Sequence, residues 1–302
     1  MRDGPALRMG PTTGSVRGTA LARRLATMLW GVPLVLVCLW LGGWWLTLAA
    51  AVLCASALAE FWPLGRPLGV HTGLRWEVLA AAALLLVGAT LGPTTFSLAL
   101  TASLLLVLVA GVVRAAATPG GPALREQLGA TVWAMAAIIY IPWLLGHLLL
   151  LRASGPDGHG WSLALFTVVA VWVGDVGAYV AGGWLGRHRL AAAVSPGKSV
   201  EGAVAAVVLG AAAGVALAGT VGQPAEVAGL VGAVLAATGM AGDLWESLLK
   251  RSAEVKDSGG GVPGHGGVLD RFDSLLLGAP VAYWLLERVP WTVLLRLLHL
   301  TG

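Results

Sequence analysis

The chain has 302 residues, of which 57% are hydrophobic and only 11% charged, with a formal net charge of +4. Soluble domains carry roughly a quarter charged residues, so an ordinary soluble enzyme is excluded and a polytopic, all-α membrane protein is expected. The positive charges lie between apolar segments, where they orient helices in a bilayer, and no nucleic-acid binding is read from them. Cys38 and Cys54 both sit in apolar runs and form neither a disulfide framework nor a metal knuckle.

Met1 to Arg24 carries Arg2, Arg8, Arg17, Arg23 and Arg24 among Gly, Pro and Thr, and reads as a disordered basic cytoplasmic leader. The apolar stretch Leu25 to Ala59 is about twice the length of a secretory signal's core. It predicts a two-helix hairpin turning near Gly42-Gly43. A membrane helix needs about 20 apolar residues, and the chain divides accordingly into Leu25–Leu41, Trp44–Ala59, Val78–Leu91, Phe96–Val113, Leu128–Leu151, Trp161–Gly186, Gly202–Val221, Val227–Gly242 and Ser274–Leu286. Gly92-Pro93 separates the third from the fourth, and the eighth is expected to continue as a helix to Arg251. The tail "WTVLLRLLHL" reads as interfacial. About nine spans result, with residues 25–151 forming an N-terminal set and 152–302 a C-terminal catalytic region.

Lys and Arg mark cytoplasmic loops. With the N-terminus inside, Arg66, Arg75, Arg114, Arg125, Arg187, Arg189, Lys198, Lys250, Arg251, Lys256 and Arg271 all fall on one side, against Arg152 and Arg288 on the other. Both charge-rich segments of the C-terminal region are therefore expected to face the cytoplasm, where nucleotides are available, and the Ala, Gly and Arg bias suggests a GC-rich bacterial genome and hence a bacterial inner membrane.

The first polar island, "GDVGAYVAGGWLGRHRLAAAVSPGKSVEG", begins with Asp175 inside an apolar helix, and an ionisable residue there is a functional candidate by default. Asp175, Tyr179, Gly182 and Gly186 recur at helical spacing, so an acid and a phenol share a face with residues small enough for close helix packing. The plainer reading is an Asp bonded to a neighbouring helix. Downstream, Ser195, Lys198 and Ser199 supply hydroxyls and a cation suited to an anion, and Glu201 opens the next helix. "SPGKS" partly fits the end of a P-loop, but Ala192 stands where that motif needs glycine.

The second island runs from Asp243 to Asp273. Asp243, Glu246 or Ser247, and Lys250 share one helix face at three-to-four spacing. The loop "SAEVKDSGGGVPGHGGVLDRFDS" follows, with a glycine-rich backbone that can approach a ligand closely. Asp270 and Asp273 flank Arg271 at the next helix start, where carboxylates are favoured by the helix dipole and a metal could bridge them to phosphate. Taken singly, these carboxylates are caps and Lys250-Arg251 a topology signal; their convergence between apolar helices favours a metal-dependent phosphate site. "GGGVPG", Gly259 to Gly264, fits a dinucleotide fingerprint only formally, since no strand precedes it.

"SLLKRSAEVKDSGGGVPGHGGVLDRFD", Ser247 to Asp273, resembles the signature of the phosphatidate cytidylyltransferase family, with every polar position filled and Val262 as the one soft departure. "SPGKSVEG" is similar to the family's second motif with Ser199 in place of Thr, and "DVGAY" fits its intramembrane acid and tyrosine. The resemblance is specific from Asp175 to Asp273. It implies a nucleotidyltransferase of phospholipid biosynthesis that joins CTP to phosphatidic acid, giving CDP-diacylglycerol and pyrophosphate with Mg²⁺, as one ion or a pair. It further implies Asp243 and Asp270 as metal ligands supported by Asp273, and Lys198, Lys250, Arg251, Lys256 and Arg271 on the phosphates. His265, Gly266 and Gly267 would shape the phosphate loop, with Asp257 supporting it and Asp175 acting from beneath. A homodimer is left open. Two other classes remain at this point: a transporter with Asp175, Glu201 and Asp243 as coupling charges, and a CTP-dependent polyprenol kinase.

Overall fold

The computed structural model describes residues 30–70, 73–118, 120–154, 159–259 and 266–291; the basic leader, His265 and most of the apolar tail lie outside the described residues. In a bilayer every backbone N–H and C=O must be paired internally, and the described chain answers with helices. They are α1 (Trp30–Leu41), α2 (Gly43–Phe61), α3 (Arg75–Leu91), α4 (Pro93–Ala116), α5 (Pro122–Ile138), α6 (Leu144–Ala153), α7 (His159–Leu185), α8 (Val200–Leu217), α9 (Ala225–Ser252) and α10 (Leu269–Tyr283). A wide π turn, Ile139–Trp143, joins α5 and α6 into one rod at Pro142, which lacks the N–H that would continue the α ladder. A second π turn, Trp284–Arg288, ends α10.

Within the described residues each predicted span overlaps one of these rods, residues 25–29 of the first lying outside them. Six stretches are long and apolar enough to cross a membrane: Gly43–Pro67, Pro93–Ala116, Pro122–Ala153, His159–Leu185, Val200–Thr220 and Ala225–Ser252. The described part of α1 and the 17-residue α3 are shorter, and α10 is charged at both ends. Both predicted breaks are sharp reversals. Gly42 and Gly92 have φ of +62° and +123°, which a side chain would oppose, and Pro93 starts α4 where its missing N–H is not needed. Arg152 Nε donates to Leu39 O at 2.6 Å and its Nη2 to Trp40 O at 2.9 Å, satisfying the open carbonyls at the end of α1.

Helices α7, α8 and α9 pack as a close bundle, with α10 laid against α9 and α6. Lipid tails are as apolar as leucine, so such packing depends on small residues that let backbones approach. Gly174 on α7 meets Ala236 on α9, and Gly210 on α8 faces the Gly232 carbonyl. The opposite face of α4 presents Leu98, Leu105, Val109 and Val112 outward, as a lipid-facing surface does.

One element was not expected. Between α7 and α8 the chain forms a small antiparallel hairpin, β1 (Arg189–Ala191) with β2 (Ser195–Ser199), so "SPGKS" is a strand and not an open loop. Pairing the two arms satisfies backbone groups that leave the helices at their polar ends.

Because a Cβ at Gly210 would stand 2.6 Å from Gly232 O, whereas one at Gly219 would meet nothing within 4 Å, Gly210→Val should destabilise the bundle by about 1–3 kcal/mol, the usual cost of overpacking. Gly219→Val should leave it unchanged. Thermal unfolding of the detergent-purified variants measures both.

Candidate active site

The C-terminal ends of α7 and α9 meet the N-terminal ends of α8 and α10 around a cavity of about 850 Å³. Its walls bring the two polar islands together. Asp175, Ser195, Lys198 and Ser199 come from the first, and Asp243, Lys250, Asp257, Asp270, Arg271 and Asp273 from the second. The helical face predicted on α7 is also present, since Asp175, Tyr179, Gly182 and Gly186 all line the cavity.

Two lysines, in three ion pairs, organise it. Lys250 is 9% exposed, lies 2.5 Å from Asp270 Oδ1, and reaches Glu246 Oε2 at 3.3 Å. Lys198 Nζ lies 2.9 Å from Asp243 Oδ2 and also donates to Met240 O at 3.3 Å. Asp243 in turn accepts from Ser247 Oγ at 3.3 Å. Asp175 on α7 and Ser274 on α10 both line the cavity wall.

Asp270 is the most heavily bonded carboxylate. Besides Lys250, its Oδ2 accepts Gly267 N at 2.8 Å and Ser258 N at 3.2 Å. Burial alone would raise its pKa, but the ammonium and the backbone donors outweigh that and hold the carboxyl below its usual range. The stabilisation is therefore present above the ordinary carboxylate pKa and is lost as pH falls through the lowered value. Asp273 moves the other way, up to about 6, because it is buried and faces the negative Asp243. Glu246 is fully buried beside it, and its Oε1 has no hydrogen-bond partner. Among the described residues no three His, Cys, Asp or Glu side chains form a cluster that could hold a metal ion without further ligands.

Several predicted residues serve other ends. Ser199 Oγ accepts Gly202 N at 3.1 Å and so caps α8 while lining the cavity. Arg251 is outside the cavity wall; it ties the hairpin turn to α9 through Val194 O at 3.4 Å and Val255 O at 3.2 Å. Lys256 is exposed and also outside the wall. Gly266 has φ of +87°, and a side chain on Gly267 would collide with Ser258 and Glu60, so both glycines shape the loop beside the cavity. Glu201 binds the N–H of Arg187 at 3.1 Å and the His188 ring at 2.7 Å, fixing the α7–β1 corner.

Glu60, at the end of α2, is a residue that the motif search missed. Its oxygens accept Val268 N and Leu269 N, both at 2.9 Å, and lie 3.1 Å from Ser258 Oγ. A carboxylate from the N-terminal region thus satisfies open N–H groups at the start of α10 and sits at the positive end of its dipole. It was detectable in principle, as the sole acid in an otherwise apolar hairpin. Arg189 is a second omission, a guanidinium on the cavity wall.

Fold and cavity together define a polytopic helical membrane protein with a charged site at one end of its bundle. The sequence profile of the cytidylyltransferase family matches residues 22–289. A phosphatidate cytidylyltransferase of Synechocystis sp. is 30% identical over 287 residues, covering 87% of this chain and 95% of its own. Proteins of the same name from Bacillus subtilis and Mycobacterium bovis are 38% and 37% identical over 152 and 135 residues, covering 50% and 44% of this chain and 56% and 44% of theirs. The chain belongs to the cytidylyltransferase family and is a nucleotidyltransferase.

Glu60→Gln keeps the size of the side chain but turns an amide N–H toward backbone donors. Hydrogen bonds to charged groups contribute about 1.5–3 kcal/mol, so turnover should fall roughly 10- to 100-fold if that energy holds the loop in its working shape. An unchanged kcat/KM in a folded variant would show that the contact is only structural.

Proposed function

We propose that this enzyme transfers the cytidylyl group of CTP to phosphatidic acid, giving CDP-diacylglycerol and pyrophosphate, at the cytoplasmic face of a bacterial inner membrane. The observation that carries this reading is the meeting of Lys250–Asp270 and Lys198–Asp243 in one cavity at one end of a membrane bundle. The names of the relatives and the excess of Lys and Arg on the side of the cavity support it.

In the proposed reaction an oxygen of the lipid phosphate forms a bond to the α-phosphorus of CTP while the bond to the β-phosphate bridging oxygen breaks in line. The displaced pyrophosphate takes up the electron pair. Such transfers depend on positioning and on neutralising charge. Lys198, Lys250, Arg189 and Arg271 would hold the phosphates, Arg271 being suited to two-point contact. Asp257 and the Gly266-Gly267 segment would fix the loop, and Asp175 would close the floor. Cations already ion-paired in the wall are held in place without a substrate, so little ordering remains to be done on binding.

The carboxylates fit Mg²⁺. That ion is usually held by one or two carboxylates together with substrate phosphates, so the lack of a preformed three-acid cluster does not count against it. One or two of Asp243, Asp270 and Asp273 would hold it together with the substrate phosphates, in the wall that also carries the unpartnered Glu246 Oε1. When bound it would supply positive charge to the triphosphate. Whether there is one ion or a pair follows from titration of the purified enzyme.

Detergent-purified protein incubated with Mg²⁺, phosphatidic acid and α-labelled CTP should pass label into the lipid phase and release pyrophosphate. Asp270→Asn should abolish this while the protein stays folded, and normal turnover would remove Asp270 from the machinery. Lys250→Ala should raise the KM for CTP or lower kcat. Release of CDP would instead indicate γ-phosphate transfer, and untouched CTP would point to transport.

A further inference from the structure

The second cavity, of about 420 Å³, lies at the other end of the molecule from the active site. From Asp270 to Arg288 a helix advances about 27 Å, close to the roughly 30 Å of a bilayer's hydrocarbon core. Arg288, at the end of α10, therefore sits at the opposite membrane surface, and the cleft beside it opens toward the opposite leaflet.

The walls have two chemistries. At the surface end are Arg288 and the start of α4 at Pro93; deeper lie Phe96, Leu100, Trp143 and Leu150. Successive positions on α4, Pro93, Ser97 and Thr101, lie along one side over about 12 Å of helix. The guanidinium is held ready: its Nη2 donates to Tyr283 Oη at 2.6 Å and its Nε at 3.2 Å, with its carbon 5.3 Å from that ring's centre. The floor holds a polar group where an apolar one would pack more simply. His147 is 3% exposed, ringed edge-on by Phe96, Trp143 and Tyr283, and its Nδ1 pairs with Trp143 O at 2.9 Å. With Nδ1 donating to that carbonyl, Nε2 remains an acceptor in the floor.

A further observation comes from the backbone. The structure has two π turns among its described residues, and both border this cleft, one through Trp143 and the other through Trp284 and Arg288. Single π turns inside α-helices occur frequently at functional sites. Here they widen the α5–α6 rod and the end of α10 where the cleft lies.

We propose that this cleft binds one anionic glycerophospholipid of the leaflet opposite the active site, its phosphate on Arg288 and an acyl chain along Ser97, Leu100, Thr101 and Trp143. An acyl chain matches the apolar wall, and a fixed cation at the membrane surface selects an anionic headgroup. The inference depends on the membrane-spanning fold and not on cytidylyl transfer.

Native mass spectrometry of the full chain in detergent tests it, with phosphatidylglycerol and phosphatidylcholine of matched acyl chains offered as probes. Wild-type protein should retain one phosphatidylglycerol in preference to phosphatidylcholine. Arg288→Ala should weaken that retention at least tenfold and Arg288→Lys should restore much of it. Ser97→Trp, at an exposed position, should block it with an unchanged Tm. Equal retention of both lipids would mark ordinary annular lipid and overturn the proposal. Retention of phosphatidylglycerol unaltered in both Arg288→Ala and Ser97→Trp would place the lipid elsewhere, the active-site cavity included, and overturn it as well.

Discussion

The ammonium of Lys250, held between Glu246 on its own helix and Asp270 on the next, is the contact around which the charged end of the bundle is arranged. A buried cation is costly unless it is paired and hydrogen-bonded. That requirement fixes the turn between α9 and α10, because Asp270 must arrive beside Lys250 wherever the glycine-rich segment goes. Asp270 then collects the N–H groups of Ser258 and Gly267, so the same carboxylate that neutralises the lysine also shapes the loop. Two acids share this one lysine, and Asp273 beside them has its pKa raised by burial and by the nearby Asp243.

The N-terminal helices contribute to this end through Glu60. Its two oxygens reach the start of α10 from the end of α2, so the packing of the first hairpin bears on the geometry of a motif some two hundred residues later. Phe61, next in sequence, stacks on Trp133 of α5 with ring centres 4.5 Å apart, which fixes the end of α2. Glu60 is thereby positioned by aromatic packing on one side and spends its charge on the other.

Much of this was legible in the sequence, for definite reasons. Apolar runs of membrane length and Gly-Pro breaks locate helices because the bilayer imposes both length and internal pairing. The breaks at Gly42 and Gly92 lie where predicted. The two polar islands were legible because charge is scarce in such a chain and does not gather by chance. What was hidden is what packing decides. That Lys198 pairs with Asp243, that Arg251 is tied to backbone carbonyls away from the cavity, and that Glu60 serves α10 are all contacts between segments distant in sequence or unrelated in pattern. The β1–β2 hairpin escaped notice for a different reason: three to five residues of strand carry too little periodicity to be seen.

Helix α10 joins these themes because it carries charge at both ends and is apolar between. Its start holds Asp270, Arg271 and Asp273 at the charged cavity, and the π turn that ends it holds Glu287 and Arg288. It packs on α6, α7 and α9, with Gly278 against Val171 of α7 and, nearer the cavity, the Asp273 carbonyl against Gly242 of α9. Close contact of this kind leaves little room for the helix to slide without separating backbones that touch. The Asp270 end and the Arg288 end therefore belong to one rigid element, so the packing of its middle sets both the place of Asp270 beside Lys250 and that of Arg288 at the far end.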